Sequence, residues 1–242
     1  MEYKAFLAGS LKSLVLAGAL VLSGCATTDP DFADPRDPLE NFNRAMFDFN
    51  DMLDRTVLRP IGKGYNAIVP KPVNRGITNF FSNIDDVTSA VNNLLQFKIG
   101  RALSDVSRVA VNTTVGIGGF FDVASNLDMP KYGEDFGQTL GTWGIASGPY
   151  LVLPVVGPSS ARDGVGRVAD WFTDPINYIE DDTLRWSLRG LDLVDTRADL
   201  INATRVLDQA ALDPYYFVRD AYLQKRENDV YDGNPPRQPD FY

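Results

Sequence analysis

The stretch Asp37-Pro38-Leu39-Glu40-Asn41-Phe42-Asn43-Arg44-Ala45-Met46-Phe47-Asp48-Phe49-Asn50-Asp51-Met52-Leu53 decides the fold. Asp37 is a capping residue, Pro38 suits the first helical position, and Glu40 stands where a capping box reaches back. Phe42, Met46, Phe49 and Leu53 then recur at intervals of four, three and four, which places them on one helical face. Asp48, Asp51 and Asp54 interleave as a polar side. The same pattern serves a core helix and one lying at a membrane interface.

Outward from this helix the period stays helical almost throughout. Val73, Ile77, Phe80, Phe81 and Ile84 mark a second apolar face, and a helix follows from about Asp86 to Phe97 with Val87, Val91, Leu94 and Leu95 inside. Residues 101 to 112 continue with Leu103, Val106, Val109 and Ala110 as a core stripe. Ser160 and Asp163 form a capping-box pair before Val165, Val168 and Phe172. Thr183 to about Asp208 reads as the longest helix, and Asp213-Pro214 opens the last one. This predicts an all-α chain with one helical domain over residues 37–227 and a polar tail over 228–242. No internal repeat is visible, and the alternating segments of a transmembrane barrel are missing.

The middle of the chain is less ordinary. Gly137, Gly141, Gly144 and Gly148 lie four, three and four apart, so on a helix they form one groove open to a neighbouring backbone or an acyl chain. Gly148-Pro149 breaks that helix. Tyr150-Leu151-Val152-Leu153-Pro154-Val155-Val156-Gly157-Pro158 follows, apolar but far too short to span a bilayer. It reads either as a turn packed in the core or as a hairpin dipping into lipid.

At the N-terminus, Leu22-Ser23-Gly24-Cys25 closes an apolar run preceded by Lys4 and Lys12 and holds the chain's single cysteine. The tetrapeptide reads as a lipobox, with residues 1–24 as a signal peptide and Cys25 as the lipidated first residue of the mature protein. Each buried methylene contributes about 0.8 kcal/mol, so two or three fatty chains hold such a protein on a bilayer. Residues 25–36 then form a polar tether. Ala26 follows the cysteine in place of the Asp that commonly retains lipoproteins at the inner membrane, which points to the periplasmic face of the outer membrane.

Composition narrows the function. The formal charge is -9 for the whole chain, and losing a signal bearing Glu2, Lys4 and Lys12 leaves the mature chain more acidic still. No basic patch is evident to neutralise the phosphates of a nucleic acid. The chain has no histidine, which removes Ser-His-Asp and Cys-His catalysis and the usual zinc sites. Asp85-Asp86 and Glu180-Asp181-Asp182 lack the spacing of a calcium loop, so no metal site is expected. Gly116-Ile117-Gly118-Gly119 lacks the full pattern of a phosphate-binding loop, and no cofactor is expected.

Asp37-Pro38-Leu39-Glu40, Asn43-Arg44, Phe49-Asn50 and Arg59-Pro60, followed in order by Asn79-Phe80-Phe81-Ser82-Asn83 and Leu95-Gln96, resemble the opening of the MlaA, or VacJ, lipoproteins. Asn112-Thr113-Thr114, Gly118-Gly119, Asp122-Val123-Ala124 and Phe136-Gly137-Gln138-Thr139-Leu140-Gly141 continue it. Gly148-Pro149-Tyr150, Leu153-Pro154, Arg162-Asp163 and Asp213-Pro214-Tyr215 complete a collinear series from Asp37 to Arg226.

The resemblance implies a helical ring in the inner leaflet of the outer membrane, held beneath a trimeric porin and pierced by an amphipathic channel. It implies a non-enzymatic function: stray outer-leaflet phospholipid is removed and passed to the periplasmic carrier MlaC, which maintains lipid asymmetry. The family's channel is bordered by a hairpin that corresponds here to residues 144–150. On that basis Gly144, Gly148, Pro149, Tyr150, Leu151, Leu153 and Pro154 are candidate hairpin or channel residues, and Phe42, Phe49, Phe80 and Phe81 are candidate lipid-facing ones. A porin-associated bracing lipoprotein would share the anchor and the helices without carrying lipid. A lipid-cleaving enzyme would need a nucleophile motif that the serines do not offer.

Overall fold

The computed structural model describes residues 34–236; the lipobox with Cys25, most of the tether, and residues 237–242 lie outside them. The first helix, α1, runs over Glu40–Leu53, two residues later than the Asp37 cap implies. Asp37 is buried and accepts hydrogen bonds from Asn43 Nδ2 at 2.7 Å and the Tyr215 hydroxyl at 2.5 Å, with Arg219 at 3.4 Å. Glu40 accepts from Arg44 and Tyr216 rather than reaching back to the cap. Charge-assisted tertiary bonds outweigh one local capping bond, so the residue that reads as a helix start is used to tie the two ends of the chain together.

A single π turn at Asp54–Leu58 joins α1 to α2, Arg59–Ile68. There the Arg59 N–H bonds Asp54 O, five residues back, and the widened turn accommodates Pro60, which has no N–H to give. Val69 is extended before Pro70. α3 then runs unbroken over Lys71–Leu95, where the sequence reading had two pieces. α4, Ile99–Thr114, packs back along it. The glycine-rich turn at 116–119 folds over the end of α4: Gly118 and Gly119 N–H bond Thr113 O and Asn112 O, which spends those donors within the turn.

The short α5, Val123–Asn126, is capped by Asp122, and α6, Phe136–Thr142, by Asp135. The helix expected along all four middle glycines stops at Thr142. Gly144, at φ 88°, closes it with N–H bonds from Gly144 to Gly141 O and from Ile145 to Leu140 O, the paired pattern of a left-handed helix end. β1, Tyr150–Leu153, and β2, Gly157–Ser160, form an antiparallel hairpin with Tyr150 opposite Ser160, so an otherwise all-α chain carries one small sheet.

α7, Ala161–Trp171, is capped by Ser160, whose side chain accepts the Asp163 N–H as its spacing predicts. A 3-10 turn, Pro175–Tyr178, leads to α8, Asp182–Asp199, and α9, Ile201–Ala210. The expected single helix is interrupted at Leu200, which lets α9 pack against both α2 and α8. α10, Pro214–Val230, starts at the Asp213 cap as read from the sequence and runs past residue 227. No helix among the described residues is long and apolar enough to cross a membrane.

The packing reverses the expected faces. Buried polar and charged side chains far outnumber buried apolar ones among the described residues. On α4 the buried stripe is Ala102, Asp105, Arg108 and Asn112, whereas Leu103 is 62% exposed and Val106 is also exposed. On α3 it is Asn83, Asp86, Ser89, Ala90 and Asn93, with Leu94 and Leu95 outside. Val165, Val168 and Phe172 also face out. The conventional apolar core is small: Tyr150, Val152 and Tyr215, with Met46, Phe47, Tyr222 and Leu223 against it.

Candidate functional site

The polar stripe of α3 reaches a cavity of about 830 Å³. Its wall takes Asp85, Asp86 and Ser89 from α3, residues 131–135 before α6, Asp163, Arg167 and Asp170 from α7, Arg189 from α8, and Tyr222 and Arg226 from α10. Helical period sets Asp163, Arg167 and Asp170 on one side of α7, and Asp86 and Ser89 on one side of α3. Their positions are then locked by bonds between elements distant in sequence.

Arg108, 1% exposed, anchors one side. Its guanidinium donates to Asp86 at 3.1 Å, to Met129 O at 2.8 Å and to both Asp122 oxygens at 3.2 Å. Lys131 Nζ lies 2.7 Å from the other Asp86 oxygen. Further along α3, Asp105 accepts from Ser89 and Asn93, each at 2.8 Å, and Asn92 donates to Asp170 at 3.0 Å. Gln96 donates to Glu134 at 2.9 Å, and Lys98 to the same carboxylate at 3.1 Å. On the opposite side Arg226 bridges Asp135, at 2.6 and 2.9 Å, and Asp163, at 2.9 and 3.0 Å, while the Tyr222 hydroxyl donates to Asp163 at 2.6 Å. Unpaired, each of these charges would cost several kcal/mol to bury.

The acids divide by environment. Burial works against ionisation of Asp163, but Arg226 and the Tyr222 hydroxyl hold it far below the usual carboxylate range. Asp135, likewise desolvated, is held low by Arg226. Asp85 and Asp170 go the other way: desolvation pushes each up to about 6. Asp170 still accepts from Asn92 and the Phe136 N–H, whereas Asp85 has no hydrogen bond or ion pair among the described residues. The cavity therefore holds carboxylates kept ionised by Arg226 beside others that desolvation makes easier to protonate.

A second cavity of about 550 Å³ lies on the other side of the hairpin turn, between α1, the π turn, α8 and α9. Its cations are paired: Arg197 and Arg59 with Asp54, Arg55 with Asp51, and Arg44 with Glu40 and Asp213. Val156 lines both cavities, so the hairpin turn stands between them. Exposed Val155, at φ 67°, and Val156 make that turn an apolar tip.

The hairpin is held to α1 by two asparagines. Asn43 accepts the Val152 N–H at 2.8 Å and donates to Tyr150 O at 3.0 Å. Asn50, two turns on, accepts the Val155 N–H at 2.7 Å and donates to Leu153 O at 2.9 Å. These side chains complete an edge that a third strand would otherwise fill.

The candidate hairpin residues separate accordingly. Gly144, Gly148 and Pro149 belong to an exposed arch over residues 143–149, with Gly148 at φ 68°, and Pro154 lies exposed in the hairpin turn. Tyr150 is 0% exposed and packs against Tyr215 and Tyr222, so its ring belongs to the core; Leu151 and Leu153 alternate with it and are partly open. Of the candidate lipid-facing aromatics, Phe49 is exposed and Phe42 and Phe80 are half-buried. Phe81, at 6% exposure with its ring edge-on to Phe80, is buried. The sequence reading assigns no site role to Asn43, Asn50, Asp163 or Arg226, which enter it only as motif or capping residues, and does not single out Arg108 or Arg167. A helical polar stripe, Asp86-Ser89-Asn93-Gln96, was there to be read beside the apolar one.

A family model described as MlaA lipoprotein matches residues 35–229. The intermembrane phospholipid transport system lipoprotein MlaA of Escherichia coli (strain K12) is 36% identical over 222 residues, covering 89% of this chain and 86% of the relative. The protein of the same name from Haemophilus influenzae is 35% identical over 234 residues, covering 90% and 89%. An uncharacterized Rickettsia felis protein is 36% identical over 195 residues, covering 80% and 78%. A solved structure described as "Structural basis for maintenance of bacterial outer membrane lipid asymmetry" superposes with a TM-score of 0.71 at 36% identity, over 80% of this chain and 98% of its own. Shared sequence over nearly the whole helical region and a shared fold lead to one conclusion: this chain belongs to the MlaA lipoprotein family.

Proposed function

We propose that this chain is an outer-membrane lipoprotein that takes phospholipid out of the outer leaflet through its polar interior and delivers it toward the periplasm. The observation that carries this reading is the reversed packing: apolar side chains such as Leu103, Val106, Val165 and Val168 point out, while a charged, hydrogen-bonded lining surrounds a cavity of about 830 Å³. A lipid leaving its leaflet needs a wet path for its headgroup and an apolar surface for its chains. The polar lining and the valine-tipped hairpin offer both side by side. The names of the Escherichia coli and Haemophilus influenzae relatives, intermembrane phospholipid transport system lipoproteins, support the same reading. The geometry asks for no bond to be made or broken.

In this reading the acylated Cys25 confines the protein to the periplasmic leaflet, a trimeric porin holds it there, and the carrier MlaC accepts the lipid. Gly144 and Gly148, both left-handed, flank an arch free to shift beside the hairpin, with Leu151 and Leu153 touching acyl chains. The test is complementation. Expressed in a strain lacking its own homologue, the chain should lower outer-leaflet phospholipid, and a Cys25→Ser form should fail to. Unchanged outer-leaflet phospholipid, with the protein folded and at the outer membrane, would favour a bracing function and overturn the proposal.

A further inference from the structure

Arg167 stands apart from the other cations lining the two cavities. Lys131, Arg189, Lys225 and Arg226 in the larger cavity each pair with a carboxylate, as do the four arginines of the smaller one. Arg167 has no ion-pair partner among the described residues; its one hydrogen bond is a long approach of 3.5 Å to Pro158 O on β2. It projects from α7 one turn before Asp170 and lines the larger cavity together with Val156 of the hairpin tip and Trp171. An unpaired guanidinium is a notable feature in a wall where acids outnumber bases, since any nearby carboxylate would have been drawn to it. Its planar donor fork suits a phosphodiester. Asp85, lining the same cavity without a hydrogen bond or ion pair among the described residues, supplies a matching unsatisfied negative group.

We propose that the larger cavity receives a zwitterionic phospholipid headgroup, its phosphodiester held by Arg167 and its ammonium by the acidic wall at Asp85. This rests on the transport reading and adds a headgroup class to it. A headgroup with a second negative charge or no cation meets net repulsion from the surrounding carboxylates. One with an ammonium group meets attraction at both ends.

The test uses the full lipidated protein in dodecyl maltoside with either dioleoylphosphatidylethanolamine or dioleoylphosphatidylglycerol, with retained lipid counted by native mass spectrometry. Wild type should retain the ethanolamine lipid preferentially. Arg167→Ala should retain about tenfold less of it, Arg167→Lys most of it, and Asp85→Asn should lose the preference between the two lipids. Circular dichroism reports folding, and Arg167 is exposed, with one long hydrogen bond to lose. Equal retention by wild type and Arg167→Ala, or a wild-type preference for the glycerol lipid, overturns the proposal while leaving transport standing. A wild type that retains neither lipid overturns transport and this inference together. A further arm offers inorganic phosphate alone: Arg167-dependent phosphate adducts without lipid retention would make the site a phosphate site and overturn the lipid assignment.

Discussion

Asn43 and Asn50 lie two helical turns apart on α1, and each grips the outer edge of the hairpin with both ends of its carboxamide. Asn43 is fully buried and also donates to Asp37, which is itself held by Tyr215 and Arg219 of α10. The start of the helical region, the hairpin and the last helix are thereby joined at one point. Asn43→Ala should cost about 2–4 kcal/mol, since it strands the Val152 N–H and removes a donor from buried Asp37. Asn50→Ala, at a partly open site, should cost about 1 kcal/mol. Urea unfolding in detergent measures both, and equal costs would contradict the difference in burial.

Arg108 organises the inner wall by bonding α3, α5 and the segment before Lys131 at once. Arg108→Met should destabilise by about 3–5 kcal/mol, because it leaves Asp86 buried beside a single lysine. Adding Asp86→Asn should recover part of the loss. A double variant no better than the single one in the same unfolding experiment would show that the pairing of charges is not what the arginine supplies.

Gly137 and Gly166 mark where α6 and α7 cross with their backbones in contact: a Cβ on Gly166 would lie 2.4 Å from the Gly137 nitrogen. Gly166→Ala should force the helices apart and cost about 2–3 kcal/mol. Gly164→Ala, two residues earlier, meets nothing closer than 3.9 Å and should be neutral or stabilise by up to about 1 kcal/mol. Thermal melts of the pair provide an internally controlled comparison.

The reversed faces make their own prediction. Leu103→Ser should change the unfolding free energy in detergent by less than about 0.5 kcal/mol, since Leu103 is 62% exposed. Ala102→Leu, on the neighbouring and 1% exposed position, should destabilise by about 1–3 kcal/mol through overpacking. The opposite ranking would restore the conventional reading, with Leu103 in a core.

Asp85, pushed up to about 6 by desolvation, gives a pH dependence with a definite sign. An acid raised in the folded state binds a proton that the unfolded chain has already released, so its contribution to stability falls as pH rises from the unfolded carboxylate range through about 6. Asp85→Asn should remove that slope and be the more stable protein above pH about 7. The gain should be no more than about 1 kcal/mol, because the carboxylate opens onto a solvent-accessible cavity. Melting temperatures of both proteins from pH 4 to 8 check it, and parallel curves would rule out Asp85 as the source.

Much of this protein is legible along the chain. Local signals placed the Ser160 and Asp213 caps where they are found, because a cap needs only its own backbone and one side chain. Collinear short motifs identified the family. Local reading went astray where a distant partner made a better offer: Asp37 reads as a cap but is taken by Tyr215 and Arg219, and the regular spacing of Gly137, Gly141, Gly144 and Gly148 reads as one helix although Gly144 closes it.

The sequence by itself determined that these helices have two unlike faces; only the tertiary structure decided which face turns inward. Amphipathic spacing carries a period but no sign, and a rule learned from proteins in water assigns the apolar stripe to the core. Here polar residues of α3 and α7 line a charged cavity, satisfied by ion pairs such as Arg108–Asp86 and Arg226–Asp163 that span 22 and 63 residues. Such pairs are invisible to any local window. Once they are formed, leucines and valines such as Leu103, Val106, Val165 and Val168 are left on the outside.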